Sequence, residues 1–578
     1  MIRTRNHSPV RFVGWKRTTV DQQDASNARV RVGRRTGLAT WAADVWCDLA
    51  PGAEETIDPR APAGMEPPAA AIPADLPGHF GGYPTVAGQP MFLLSMRPDG
   101  AGYLAHFRTR VGRMFVVDLV GLWYPEHPGV VEAELLVTCS NQTVPDMGEN
   151  LPDLALSWGD AIVSSPCGRL QEGMRFADGQ ARALPLTFVW QLHLSDDAQA
   201  DRASIVAQKL IAAVGVESLP LGVPGMPRGF QLAAWYWQHS DIGATLATWT
   251  HPRLGPAANT GQAGAQEDQC FTGGECFVPG GVGAELLTYF AALATSGHPC
   301  HHLELDGSVV DIERRPGVRM FYSRPHSSGS DRLNKPRDLS VEEANGWNGP
   351  DAQHWCIGRL SAAAHLTGSP VVQRLLEHHA RNYLIQLTTN PAWATSEVWS
   401  AREIGWEGLA VARLWHVLED RTLAERVRAH FLRRLSLVIL PKLSGKGGRW
   451  VPVRADSVGP GNCWQAWQHA LGAYGLDVAC ELFGFDAGRT LALECAKRCM
   501  ADSWRQEGGR WVQYGHLGID DPNYRTHDKD FDVAWSGLAI ATVLRHEPNN
   551  AQARSIWQQI TATADGDGRW LPNLTLTD

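Results

Sequence analysis

The chain has 578 residues, more than one ordinary core accommodates, so two or three domains are expected. Its 44% hydrophobic and 20% charged content is that of a globular protein, and no apolar run approaches the ~20 residues of a membrane helix. Against 52 Lys and Arg stand 61 Asp and Glu, a net charge of −9, which argues against nucleic acid as the main partner.

The start, "MIRTRNHSPVRFVGWKRTTV", is basic but has no apolar stretch behind its charges, so it does not read as a secretory signal. A cytoplasmic or virion-associated protein is the expectation. The first 35 residues carry nine Lys or Arg against Asp21 and Asp24. A solvated strand face accounts for them. Attachment to a virion or to further copies of the chain is the alternative.

"VRFVGWKRTTV" and "ARVRVGRRTG" alternate apolar and polar residues, as half-buried strands do. Residues 51–90 follow with nine prolines and read as a long loop. Strand patterns resume with "MFLLSM", "GYLAHFRTRV", "MFVVDLVGLWY", "VVEAELLVTCS" and "LTFVWQLHL". Residues 1–195 are therefore expected to form one antiparallel β domain, a sandwich or barrel, interrupted by the Pro-rich excursion.

The period changes at "ADRASIVAQKLIAAVG", the first amphipathic helix, and helices dominate from Gly281, with "GAELLTYFAALATSG" an early member. Helix pairs follow. "QHWCIGRLSAAAHLTGSP" precedes "VVQRLLEHHARNYLIQL", and "GWEGLAVARLWHVLED" precedes "LAERVRAHFLRRLSLVIL". "CWQAWQHALGAYGLDVACELFG" precedes "GRTLALECAKRCMADSW", and a last pair runs from Phe531 to "NNAQARSIWQQI". First helices are almost wholly apolar, as inner helices should be, and second helices carry charge on one side. Alternating inner and outer helices close naturally into an α/α toroid over residues 196–578; an open helical stack is the competing shape. Together the two parts make an α+β multidomain chain.

The entrances to the inner helices share a composition. "NGPDAQHW" holds Asp351, His354 and Trp355; "WSAREIGWEG" holds Arg402, Glu403, Trp406 and Glu407. "GNCWQAWQH" holds Trp464, Gln465, Trp467 and His469; "NYRTHDKDFDVAW" holds Tyr524, Arg525, His527, Asp528, Asp530 and Asp532. Acids favour the first turn of a helix for capping and dipole reasons, so any one could be a cap. Capping does not explain the recurring Trp, Arg and His beside them. In a ring these patches meet at one end.

Upstream, "AAWYWQHSDIG" offers Trp235, Tyr236, Trp237, His239 and Asp241, suited to a cleft rim or to a domain interface. The polar stretch 321–340 carries Lys335 with several Arg, able to close over an anion or to lie as plain surface. The inverted ratio of 23 Trp to 10 Tyr favours sugar stacking, though large cores also use Trp. Eleven scattered cysteines without CxxC pairs suggest free thiols, and no two ligand pairs have the spacing of a zinc finger. The HExxH, P-loop, GxSxG and spaced GxGxxG motifs are absent.

"PDAQHWCIGRLSAAAHLTGSP", "REIGWEGLAVARLW" and "DFDVAWSGLAIATVL" resemble the α/α-toroid polysaccharide lyases and glycoside hydrolases. The nearest likeness is to exo-rhamnogalacturonan-lyase-like proteins, in which a β domain precedes the toroid. The chain is expected to depart from them in ending soon after its last helix, without their C-terminal β-sandwich, and in lacking a secretion signal. Phage virion depolymerases share both departures. The resemblance implies a carbohydrate-active enzyme acting on a polysaccharide or oligosaccharide.

For β-elimination at an acidic sugar, Arg402, Arg525 or Lys335 would neutralise the uronate, His354 or His527 would take the C5 proton, and Tyr524 or Tyr236 would protonate the leaving oxygen. Trp235, Tyr236, Trp237, His239, Trp355, Trp406 and Trp464 would line the sugar path. The runner-up is hydrolysis by carboxylates among Asp241, Glu407, Asp351 and Asp532, with ~5–5.5 Å separation for retention and ~6.5–9.5 Å for inversion. A non-catalytic glycan- or receptor-binding protein is the third reading. No cofactor is required; calcium among the acids of 528–532 is an alternative, although "DKDFD" lacks the EF-hand glycine and distal Glu.

Overall fold

The computed structural model describes residues 2–6, 12–21, 23–50, 52–62, 76–126, 128–140, 149–165, 170, 172–173, 175–176, 181–190, 216–220, 303, 357–389, 401–450, 463–518, 525–527 and 531–562. Over these residues the chain is mixed α and β, with antiparallel sheets first and helices after them. The expected helices at 200–215 and 283–297 lie outside the described residues.

Strands β1 (Ile2–Asn6), β2 (Phe12–Val20), β3 (Val30–Arg35), β4 (Trp41–Leu49) and β5 (Glu54–Ile57) come first, and β2-β4-β3 form one sheet. Next come β6 (Phe92–Asp99), β7 (Gly102–Val111), β8 (Phe115–Trp123), β9 (Val130–Cys139), β10 (Ile162–Ser164) and β11 (Ala181–Val189). They make a six-stranded sheet in the order β10-β11-β9-β8-β7-β6. Strand β12 (Val216–Pro220) then returns to pair with β1, whose other neighbour is β5. Two expectations shift here. Glu54–Ile57 is a strand inside the stretch read as loop, because pairing with β1 is a long-range contact that the surrounding prolines conceal. The sheet of β5, β1 and β12 takes its third strand from beyond residue 195.

Alternation along the six-stranded sheet sends Phe107, Leu119 and Leu135 to one face, where the aromatics Phe80, Trp158, Phe188 and Trp190 pack. The opposite face carries His106, Asp118 and Glu134 and receives helices. One contiguous apolar cluster runs from this sheet into the helical layer. Trp123, Trp158, Trp190, Trp450 and Trp464 are each under 2% exposed, so for these five the excess of Trp is core packing.

The basic N-terminal residues find acids within the chain. Arg17 pairs with Asp44 and Asp99 (both 2.7 Å), Arg29 with Glu55 (2.6 Å), and Arg34 bridges Asp99 and Glu419. Burial alone would raise the Asp99 pKa, but the Arg17 and Arg34 guanidiniums outweigh it and hold the carboxyl at about 2. Five described cysteines, Cys47, Cys139, Cys480, Cys495 and Cys499, are buried free thiols.

The helices are α1 (Gly358–Thr367), α2 (Pro370–Thr389), α3 (Ala401–Val417), α4 (Arg421–Arg434), α5 (Ala466–Phe483), α6 (Asp486–Ser503), α7 (Phe531–His546) and α8 (Ala551–Ala562). Gly368, left-handed at φ 59°, ends α1, and the Ser369 hydroxyl accepts from the Val372 N–H to start α2. Helices α3 and α5 touch backbone to backbone. A Cβ on Gly475 would stand 2.1 Å from the Gly405 carbonyl oxygen, and one on Gly472 2.4 Å from that of Ala401. Because 401 lies beside 472 and 408 beside 475, the two helices run parallel.

Outer helices run back against them. On α2, Gln373 donates to the Val417 carbonyl at the end of α3, while Tyr383 meets Glu407 near its start. On α6, Cys499 and Gly488 lie against Ala466 and Cys480 of α5. Helix α7 runs with α5: Arg545 and His546 at its end bind Asp477 at 2.7 and 2.6 Å. Inner helices α3, α5 and α7 thus lie side by side with their N-termini at the same end.

A further antiparallel sheet, absent from the sequence expectation, sits among these helices. Strands β14 (Trp504–Glu507) and β15 (Arg510–Gly518) form a hairpin through Gly508 and Gly509 (φ 55° and 80°), and β13 (Cys463–Gln465) and β16 (Arg525–His527) both pair with the far half of β15.

Candidate functional site

The N-terminal ends of α3, α5 and α7 carry three of the four polar entrance patches. Two means bring them together. The glycine crossing sets the α3 entrance beside α5, and β15 clamps the residues that lead into α5 and α7. In the sheet register Trp464 and Arg525 both stand opposite Leu517, from its two sides.

Side chains in a helix lean toward its N-terminus, so Arg402 in the first turn of α3 reaches back over α5. Its guanidinium lies 5.4 Å from the ring centre of Trp467, and both residues are half-buried. A cation and an indole from different helices therefore share this end of the array. Arg525 is exposed, with its guanidinium 5.8 Å from the Tyr514 ring on β15. Beneath them, Trp464 meets the His469 ring edge-on at 5.0 Å. The His469 Nδ1–H donates to the Gln465 carbonyl (2.9 Å), and burial pulls its pKa down to about 4, so this imidazole is neutral.

Glu403 and Glu407 share the entrance sequence but not its exposure. Both are buried against the outer helices: Arg434 Nη2 donates to Glu403 (2.6 Å) and Arg434 Nε to Glu407 (2.9 Å). Tyr383 Oη donates to Glu407 at 2.6 Å. Burial opposes the Arg434 charge, but Glu407 and Glu403 outweigh it and raise its pKa above the ordinary arginine value. Burial, and then Glu407, push the Tyr383 phenol well above its usual range. Glu407 is thus placed as a counter-ion within the helix wall, and no described feature lets it meet a polymer. Trp406 (5% exposed) and Trp464 (1%) are likewise placed as core indoles rather than open stacking faces. Among the described residues of the entrances, Trp467, half-buried beneath Arg402, is the accessible indole.

His527 lies on β16 opposite Tyr514, and Asp532 in the first turn of α7; their side chains are outside the described set. Trp235, Tyr236, Trp237, His239, Asp241, Lys335, Asp351, His354, Trp355 and Tyr524 also lie outside the described residues. Among the described residues no group of three His, Cys, Asp or Glu is placed to hold a metal ion, and no helix is long and apolar enough to cross a membrane.

Sequence reasoning missed the sheet that clamps the entrances. Its signal was present: "EGGR" is a two-residue hairpin turn, and the "RWVQYGHLG" that follows alternates. No protein-family model matches the chain and no curated protein is similar to it.

Proposed function

We propose that the chain is a carbohydrate-active enzyme whose inner helices close as an α/α toroid and whose cleft, at their N-terminal ends, cleaves an acidic polysaccharide by β-elimination. The observation that carries this reading is the pairing of Arg402 with Trp467 across two inner helices, beside exposed Arg525. A flat apolar ring next to guanidinium groups suits a pyranose that bears a carboxylate, because the sugar face stacks while arginine binds the acid.

In this reading Arg402 and Arg525 neutralise the uronate, which acidifies the neighbouring C–H. His354 or His527 removes that proton, and Tyr524 or Tyr236 delivers one to the departing glycosidic oxygen. The burial of Glu407 weakens the rival reading of hydrolysis by paired carboxylates. The purified chain incubated with polygalacturonate, alginate and glucuronate-containing polymers is expected to generate the ultraviolet absorbance of an unsaturated uronate. Release of reducing ends without that absorbance would instead mean hydrolysis, and no cleavage of any acidic polymer would overturn the enzyme reading.

A further inference from the structure

Among the described residues four large apolar side chains are exposed, and three of them stand on one edge of the sheet region: Tyr83 (49% exposed), Phe92 (66%) and Leu94 (50%). Phe92 and Leu94 belong to β6, the outermost strand of the six-stranded sheet. Single exposed apolar residues need no explanation, but a contiguous group marks a contact surface.

Register makes the group contiguous. Residues 85–86 and 89–90 form a short antiparallel hairpin with Thr85 opposite Pro90. One pair further on, the Met91 N–H donates to the Pro84 carbonyl, so the next pair sets Tyr83 opposite Phe92. On its other side Phe92 stands opposite Arg108 of β7. Opposite residues of an antiparallel pair share a face with their Cβ atoms about 5 Å apart, so two aromatic residues and an arginine form one row.

Charge around the row is positive. From Tyr83 to Arg113 the chain carries Arg97, Arg108, Arg110 and Arg113 against one acid, Asp99, which is buried between Arg17 and Arg34. Arg108 is committed to Asp118 (2.8 Å), whereas Arg97 and Arg113 are exposed. Glu419, 4.0 Å from Arg97, already receives Arg34 at 3.2 Å. Burial lowers the Arg110 pKa, so a carboxylate arriving beside it would stabilise its cation.

The edge is guarded against strand pairing. Strand β6 is bulged between Leu93 and Ser95, and Pro90 and Pro98 flank this stretch without N–H groups. The strand of a second copy meets no regular ladder there, so recognition falls to the side chains. Flat apolar rings beside guanidinium groups suit a sugar chain that bears carboxylates. The place is remote from the cleft. Arg97 approaches Glu419, two residues past the C-terminal end of α3, whereas the entrances lie at the N-terminal ends. Helix α3 has 17 residues and so separates the two places by roughly 25 Å.

We propose that Tyr83, Phe92 and Leu94, with the arginines of this edge, form a second binding surface that holds an acidic polysaccharide away from the cleft. The choice of a sugar chain rests on the reading of the helix entrances. The test is affinity electrophoresis of the full chain in gels that contain polygalacturonate, alginate or hyaluronate, with dextran as the neutral comparator. At least one acidic polymer retards the chain and dextran does not. The variant Tyr83→Thr/Phe92→Thr binds that polymer about tenfold more weakly, because two stacking faces are lost, and keeps its urea midpoint. The variant Arg97→Gln/Arg113→Gln, which spares both rings, also weakens binding and lowers its dependence on salt. Retardation is read without turnover, so absent lyase activity counts against the cleft and not against this surface. No retardation by any acidic polymer, equal retardation by dextran, or undiminished retardation of both variants would overturn the proposal. So would a dimer in light scattering that Tyr83→Thr/Phe92→Thr dissociates, since it would assign the patch to a second copy.

Discussion

Two arginines at the inner-helix wall make opposite predictions because they differ in burial. Arg434 is fully enclosed between Glu403 and Glu407. Arg434→Met leaves two buried carboxylates without their cation, which costs roughly 3–5 kcal/mol. Adding Glu403→Gln and Glu407→Gln removes the stranded charges and is expected to recover most of that loss in urea denaturation. Arg402 is only half-buried, with its guanidinium over the Trp467 ring, so Arg402→Ala is expected to cost less stability than Arg434→Met. On an acidic polymer, however, turnover should fall on the order of 10²-fold, as when one charge-stabilising donor is lost. Equal loss of stability in both variants would show that Arg402 is a structural group.

At the scale of elements, the helix pairs and most long strands could be read locally, because each is announced by its own periodicity. "GYLAHFRTRV" alternates along β7, and the apolar "GLAVARLW" lies in the inner helix α3. Elements that escaped are those fixed by a distant partner. Three-residue β13 falls in the stretch expected to be the first turn of α5; it is extended because β15 pairs with it. Glu54–Ile57 was hidden among prolines and is extended because β1 does the same. The accessible residues at the entrances were equally illegible, since the pattern that marks Glu407 and Trp406 as entrance groups does not say which way they face. The glycine crossing gives a sharp test of the inner array. Gly475→Ala should gain ~0.5–1 kcal/mol from helix propensity, yet its Cβ meets the Gly405 carbonyl oxygen at 2.1 Å. Forcing two packed backbones apart costs about 1–3 kcal/mol, so the variant is expected to be destabilised in thermal or urea unfolding.

At the scale of the whole molecule, buried histidines set the response to acid. Burial lowers His365 and His469 to about 4; burial, with smaller contributions from His365 and Arg421, lowers His416 to about 4, and burial, with smaller contributions from Arg434 and Arg433, lowers His430 to about 3. An unfolded histidine titrates near ~6.5. Between those values the unfolded chain binds protons that the folded chain refuses, so stability is full above ~6.5 and falls as pH drops toward 4. Each such histidine should lose about 2 kcal/mol by pH 5, moving the urea midpoint well down before the carboxylates matter. Asp99, held at about 2, contributes stability above the usual carboxylate range and loses it only below ~4. A midpoint unchanged between pH 7 and pH 5 would mean that these imidazoles reach solvent.

The overall order of sheets before helices was legible from the change of hydrophobic period. The reach of β12 back to β1, and the continuous core between sheet and helices, depend on contacts that no local window contains. The central claim is that the N-terminal ends of the inner helices form one saccharide-binding cleft. Amide hydrogen exchange with and without oligogalacturonate, oligoglucuronate or oligomannuronate tests it most directly. With at least one of these, slowed exchange is predicted in the first turns of α3 and α5 and along β16, with α6 and α8 unaffected. Protection confined to other surfaces, or none with any of the three, would contradict it.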